Sequence, residues 1–388
     1  MTSQLLEHKW QETKGALMEG VEGSKAKTLD VVLENTRKYL SEQATSGATS
    51  AGNVATLNRV ILPVIRRVMP TVIANELVGV QPMTGPVGQI HTLRVRYADT
   101  TTGGATNIVA GDEALSPFKI ASSYSGNDSS PAKGSATATL EGAAGKRLNV
   151  QILKQVVEAK SRKLSARWTF EAAQDAQAQQ GVDIEAEIMA ALAQEITAEI
   201  DQEILTSLRA LAGSAAAAFD QSAVSGTATF VGDEHAALAV LINQQANLIA
   251  QRTRRGAGNY AVVSSEALTV LQSATTSAFA RSTEGVFEAP TNTKFVGTLN
   301  NSMRVYVDGY AATGTDVLVG YKGPSEADAP AFYCPYIPLM SSGVVLDPST
   351  FEPVVSFLTR YGYVELSNTA SSLGNAADYL ARISMSNI

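Results

Sequence analysis

Few residues in this 388-residue chain have the types and spacings that do chemistry. The run GAAGKR at 142–147 looks like a phosphate-binding loop, but Leu140 stands where that loop needs its first glycine. Arg147 stands where it needs Ser or Thr. GAGNYA at 256–261 matches the first five positions of a dinucleotide fingerprint, with Ala261 for the last glycine. It follows a helical stretch and precedes a strand, the reverse of the needed context, so a tight turn suits Gly256 and Gly258 better. His91 sits in a strand with no adjacent acid. His235 lies beside Asp233 and Glu234 near a helix start, where a surface role fits better than catalysis. Cys334 is the single cysteine, so neither an intrachain disulfide nor a cysteine metal cluster can form. Glu195, Glu199 and Glu203 recur at spacing four and share one helix face; they could hold a cation or form a charged face opposite an apolar stripe. Arg252, Arg254 and Arg255 could contact phosphates or a neighbour's acids, or could cap the preceding helix. HExxH, GxSxG and CxxC do not occur. The expectation is a protein without catalytic residues, cofactor or metal.

The elements that hold these residues are more informative. Residues 1–42 carry six Lys/Arg and seven Asp/Glu, with one narrow stripe of Leu29, Val32, Leu33, Thr36 and Leu40 at helical spacing. So charged a helix with so thin a stripe is expected outside any core, docked on a partner or present only temporarily. The small, uncharged run at 43–56 reads as a flexible linker. A helical segment is expected at 57–79, interrupted by Pro63 and Pro70. Residues 88–97 alternate as a strand does, and 148–171 read as helical at first and then strand-like. Between them, Ala, Gly, Ser and Thr fill 30 of the 48 positions from 98 to 145, a projection that another chain would have to support. Ile184, Ile188, Leu192, Ile196, Ile200, Ile204, Leu208 and Leu211 mark one helix with Asp183 as N-cap and Gly213 as its stop. At about 1.5 Å per residue it is roughly 40 Å long, which suggests a structural spine. The pattern after Gly213 is α/β, with helices at 234–252 and 265–278 and strands at 260–264, 303–308 and 316–321; the tail, with strands at 332–340 and 353–366, reads as all-β.

Charge is sparse and segregated. Only 17% of residues are charged and the net charge is −7, which argues against a general nucleic-acid binder. A low-charge surface is what a chain needs when much of it ends up against neighbours. Residues 146–167 hold seven basic residues, Lys160, Arg162, Lys163 and Arg167 among them, with Glu158 the only acid. Residues 168–208 hold nine acids and no Lys or Arg. Such blocks can meet between subunits and fix orientation, or can be two solvated faces that happen to be adjacent. No apolar run reaches roughly 18 residues, the length that spans a membrane, and the N-terminus has no apolar signal core; a soluble protein of a reducing compartment is expected.

Several segments, taken together, resemble the major capsid protein of T-even-type contractile-tailed phages, with phages of cyanobacteria the nearest flavour. They are LPVIRRVMPTVIANELVGVQPMTGPVGQIHTLRVRY (62–97), QVVEAKSRKLSARWTFEAAQDAQAQQGVDIEAEIMAALAQEITAEIDQEI (155–204), RTRRGAGNY (252–260), RVYVDGYA (304–311), VGYKGPSEADAPAFYCPYIPL (319–339) and FEPVVSFLTRYGY (351–363). The resemblance implies an α+β chain with the HK-97-type capsid fold. Residues 1–42 would be a propeptide-like segment, 43–85 an N-terminal arm and 86–170 an extended β-hairpin, the E-loop. Residues 171–213 would form a peripheral domain with the spine helix, 214–325 an axial domain, and 326–388 the strands that return to the peripheral domain. It also implies a partner set: further copies in pentamers or hexamers, a scaffold, a prohead protease, a portal and a decoration or vertex protein. Packaged double-stranded DNA would be touched only non-specifically, and no membrane would be involved. The family's protease cuts after Leu/Ile-x-Glu, which matches at Glu7, Glu19 and Glu42; Glu42, where the charged segment meets the linker, is favoured. Candidates for contacts between subunits are Lys160, Arg162, Lys163, Arg167, Glu195, Glu199, Glu203, Arg254 and Arg255. The expected role is structural, a shell subunit of the virion assembled in the bacterial cytoplasm. An encapsulin-like compartment of the same fold is the alternative.

Overall fold

A computed structural model describes residues 72–100, 145–180, 184–220, 231–253, 255–273, 279–281, 294–300, 302–312, 314–325, 328–350, 352–367 and 375–386, with shorter pieces of 10–35 and 101–142. Its strands are β1 (Gly79–Val80), β2 (Val87–Tyr97), β3 (Leu148–Glu158), β4 (Lys160–Arg167), β5 (Ala217–Asp220), β6 (Tyr260–Ser264) and β7 (Phe279–Arg281). They continue with β8 (Lys294–Leu299), β9 (Met303–Asp308), β10 (Val317–Gly320), β11 (Ala331–Ser341), β12 (Val345–Leu346), β13 (Pro353–Glu365) and β14 (Leu380–Ser386). Among the described residues they form three sheets: a two-stranded β2–β3 hairpin, a five-stranded sheet ordered β1-β11-β13-β12 with β4 also on β13, and a seven-stranded sheet ordered β5-β14-β10-β6-β9-β8-β7.

The spine helix spans Ile184–Leu211. Its buried face is the stripe read from the sequence, with Ile196, Ile200 and Ile204 each almost completely enclosed. Glu185 and Glu187 sit in the first turn, where the helix dipole favours anions, and Arg209 sits in the last. Gly213 follows with φ 71, a left-handed conformation that glycine adopts without a Cβ penalty. In the seven-stranded sheet, β6 is buried at all five positions, as expected of a strand covered on both faces. Helices Val231–Thr253 and Ser265–Ser273 pack against that sheet. The extended hairpin, the long helix and the α/β sheet are all present among the described residues.

Four expectations need correction. Residues 148–158 are strand throughout: eleven cross-strand pairs with β2, from Val87↔Glu158 to Tyr97↔Leu148, decide a segment whose own pattern is mixed. The tail does not all lie in the five-stranded sheet, because β14 lies antiparallel to β10 and parallel to β5 inside the seven-stranded sheet. Its alternating burial, with Leu380, Ala381, Ile383 and Met385 enclosed, gives it a face to place there. The span 98–145 is not wholly without support of its own. Tyr97, Ile108, Ala114 and Tyr124 form a small buried cluster at the far end of the hairpin, with the Tyr97 and Tyr124 ring centroids 4.6 Å apart. Finally, the N-terminal charged segment is not outside the core. Residues 26–35 are helical, and Leu29, Val32 and Leu33 are buried with the main cluster. A thin stripe suffices when a groove receives it and the charges stay at the rim: Lys14 pairs with Asp30 at 2.5 Å. Of the helix expected at 57–79, Ala74–Leu77 is seen and residues up to 71 lie outside the described residues.

One buried carboxylate couples these parts. Asp201, on the spine helix and only 3% exposed, accepts a hydrogen bond from the Ile73 amide at 2.9 Å. Burial, with the Asp308 carboxylate as a lesser contributor against the opposing Ile73 bond, pushes the Asp201 carboxyl up to about 7 from 3.8. A carboxyl raised by folding holds its proton more tightly in the folded chain than in the unfolded one. The stabilisation this gives is therefore present at low pH and is lost as pH rises from 3.8 towards about 7. It amounts to something on the order of 4 kcal/mol. Asp201→Asn keeps an acceptor for the Ile73 amide but cannot titrate. Urea midpoints taken at about pH 5 and about pH 8 should differ less in the variant than in the parent chain. An unchanged difference would show that another group carries the pH dependence.

Candidate subunit interface

The hairpin supplies the most exposed apolar surface of the described chain. Side chains alternate between its faces. At the root, Ile90 and Val157 are buried and the Gln155 amide donates to the Glu365 carbonyl at 3.0 Å. Farther out, the even positions of β3 share one face, and on it Leu148, Val150, Ile152 and Val156 are 54, 64, 65 and 52% exposed. Lys154 interrupts the stripe, and Val87, opposite Glu158, extends it. A two-stranded ribbon is marginal alone in water, so its stability depends on whatever covers that face. The far end is pinned locally: the Tyr124 hydroxyl bonds to the Arg147 carbonyl, and Arg147 pairs with Asp99 at 3.3 Å. Bonds from the Arg147 backbone amide and guanidinium hold the Asp99 carboxyl below its usual value.

At the body of the molecule, the basic return strand meets the acidic spine within one chain. β4 runs antiparallel to β13, with Arg162 opposite Thr359. The Arg162 guanidinium donates to Glu199 at 2.7 Å, to Glu203 at 2.5 Å and to the Tyr361 hydroxyl at 2.6 Å. Tyr361 in turn donates to Glu203. Burial alone would raise the Glu203 carboxyl, but the bonds from Tyr361 and Arg162 outweigh it and hold it low. Arg162, Glu199 and Glu203, expected to meet across subunits, are thus matched to one another inside the chain, because β4 is laid beside the helix by its pairing with β13.

The other named residues fall in different places. Lys160, Lys163, Arg167 and Glu195 are exposed; Arg167 reaches Glu352 only at 3.8 Å. Arg255 pairs with Asp328 at 2.6 Å. Arg254, Glu7, Glu19 and Glu42 lie outside the described residues. An open groove of about 730 Å³ runs along the spine helix beside Arg162, Glu199, Glu203, Ser207, Leu211 and Glu365. The exposed hairpin stripe escaped the sequence reading, because β3 does not declare its alternation until the partner strand is known.

The chemistry candidates resolve into packing. A Cβ at Gly256 would come within 2.6 Å of the Tyr321 ring, and one at Gly258 within 3.2 Å of Ala246, so these glycines permit close approach of helix and sheet. Burial pushes the Cys334 thiol up to about 12, far from a reactive thiolate. His235 bonds to Ser273. Among the described residues, no three His, Cys, Asp or Glu side chains are grouped to hold a metal ion. The site's main polar feature is therefore the Arg162 cluster, and it yields a measurable coupling. In a double-mutant cycle, Arg162→Ala and Glu203→Ala should be non-additive by about 1 kcal/mol. Additive losses would place the two side chains apart in solution.

Residues 54–385 match the family model described as Major capsid protein Gp23. The major capsid protein of Vibrio phage KVP40 is 30% identical, over 93% of this chain and 87% of that protein. The major capsid protein of Enterobacteria phage T6 is 31% identical, over 84% of this chain and 81% of that protein. Among solved structures, the capsid of Myoviridae Phage XM1 aligns at TM-score 0.45 and 11% identity, over 81% of this chain and 92% of that one. The match to the family model across most of the chain establishes that the chain belongs to the Gp23 major capsid protein family.

Proposed function

We propose that this capsid-shell subunit closes an icosahedral head around double-stranded DNA by laying its hairpin over a neighbouring copy within pentamers or hexamers. The observation that carries the reading is the stripe of Leu148, Val150, Ile152 and Val156, each more than half exposed on one face. Covering apolar surface is worth roughly 25 cal/mol per Å². In a shell of identical subunits, the surface always on offer is another copy. In this reading residues 43–85 are the arm, 86–170 the E-loop, 171–213 the peripheral domain with its spine, and 214–325 the axial domain. Strands from 326 onward return to the peripheral sheet, apart from Leu380–Ser386. The exposed Lys160, Lys163, Arg167 and Glu195 then face neighbours, together with Arg254 and the outward part of Arg255. The role is purely structural, with no reaction and no cofactor.

Residues 1–42 are removed by a prohead protease after Glu42, with Glu19 and Glu7 as secondary matches. Scaffold, portal and a decoration or vertex protein complete the partner set. The net charge of −7 suits a container that touches DNA without gripping it.

Ile152→Asp places a charge in the middle of the stripe. The purified variant should keep its circular dichroism spectrum yet yield no shells by sedimentation and negative-stain microscopy when co-expressed with its scaffold. Normal shells would remove the hairpin from the interface. Glu42→Ala should leave a full-length subunit in stalled proheads, whereas virion protein that retains residues 1–42 in the unaltered phage would defeat the cleavage assignment.

A further inference from the structure

The described part of the N-terminal helix, residues 26–35, reaches the root of the hairpin. The Asn35 side-chain amide, in a residue 7% exposed, donates to the Met83 carbonyl at 2.7 Å and to the Tyr336 carbonyl at 3.2 Å. Met83 lies four residues before β2 begins, and its own amide donates to the Pro335 carbonyl of β11 at 3.0 Å. Its thioether fills the space beside two glycines. The sulfur lies 3.0 Å from where a Cβ on Gly88 would be, and its terminal methyl 3.3 Å from where one on Gly362 would be. Met83 therefore touches the first strand of the hairpin and the central strand of the peripheral sheet at once. Asn35 holds it from the third side.

The rest of the N-terminal helix secures that contact. Leu29, Val32 and Leu33 are each no more than 2% exposed. The helix is itself held by Lys14, which pairs with Asp30 and approaches Glu34 at 3.7 Å, and by Trp10, whose indole donates to Glu34 at 3.4 Å. A segment that merely decorated the surface would bury neither three aliphatic side chains nor a hydrogen-bonding amide.

From this juxtaposition we propose that the body carries a helix-receiving site at the hairpin root, occupied by the chain's own residues 26–35, and that their seating fixes the direction in which the hairpin leaves the body. When the helix is withdrawn, the buried Met83 carbonyl and the half-buried Tyr336 carbonyl lose this donor and the apolar lining of the site is uncovered, so the root loosens. The hairpin becomes free to take up its contact on a neighbour only after the segment has left. The inference draws on the proposed removal of residues 1–42 for its timing alone.

Hydrogen–deuterium exchange on the uncleaved, full-length chain tests it without any cleavage step, so its failure and that of the cleavage assignment are separable. Leu33→Asp unseats the helix, Asn35→Ala removes the donor, and Asn35→Asp sets a carboxylate against the two carbonyls. Amides of residues 79–92 and 148–158 should exchange about tenfold faster in Asn35→Ala, and faster still in Asn35→Asp and Leu33→Asp. Amides of β6 and β10 in the axial sheet should keep their rates. Unchanged exchange at the hairpin root in all three variants would overturn the proposal. Equal acceleration in the axial sheet would also overturn it, because the helix would then be an ordinary part of the global core.

Discussion

At Gly362 the backbone of β13 passes so close to other segments that no side chain could stand there. A Cβ would come within 2.4 Å of Val157 in the hairpin, 3.1 Å of the Glu158 carbonyl and 3.3 Å of Met83. The flanking residues turn this closeness to account. Tyr361 reaches Arg162 and Glu203, Tyr363 shares a hydrogen bond with Ser207 on the spine helix, and Thr359 donates to the Ile337 carbonyl of β11. One strand thus receives the hairpin, the spine helix and the rest of its sheet within five residues. Side-chain volume has been removed where this strand meets the hairpin and concentrated in tyrosines on either side, whose phenols are pushed well above their ordinary range chiefly by burial.

The same economy governs charge. The chain has few ionised groups, and those near the body are largely matched internally. Arg209 lies 2.9 Å from the fully buried Asp308, Arg304 pairs with Glu76 at 3.0 Å, and Arg382 pairs with Asp316 at 2.7 Å. Removing one partner of the Arg209–Asp308 pair would strand a charge away from water, which is strongly destabilising. On one face of the hairpin, what is left facing outward is mostly aliphatic, a surface suited to being covered.

Local regularities of the chain declared themselves in the sequence, and partnerships between distant segments did not. The spine helix could be read to within a residue or so, since its isoleucines and leucines recur on one face and its caps are local. Strands β6, β9, β11 and β13 were legible for the same reason. The meeting of the basic and acidic blocks could be read, but not that Arg162 pairs with acids 37 and 41 residues away in its own chain, because that depends on where β13 lays β4. The burial of residues 26–35 was misjudged because amphipathic width describes a helix and says nothing about the depth of the groove that receives it. The strand character of 148–158 and the destination of β14 depended likewise on partners remote in sequence.

That destination bears on synthesis. β14 lies between β5 and β10, and it is the last of the described strands to be made. Until residues 380–386 leave the ribosome, β5 has no neighbour in the sheet and β10 presents an open edge. The seven-stranded sheet therefore completes only after the hairpin and the five-stranded sheet have been translated. A chain that stops before residue 380 therefore leaves β5 unpaired in that sheet and the edge of β10 open.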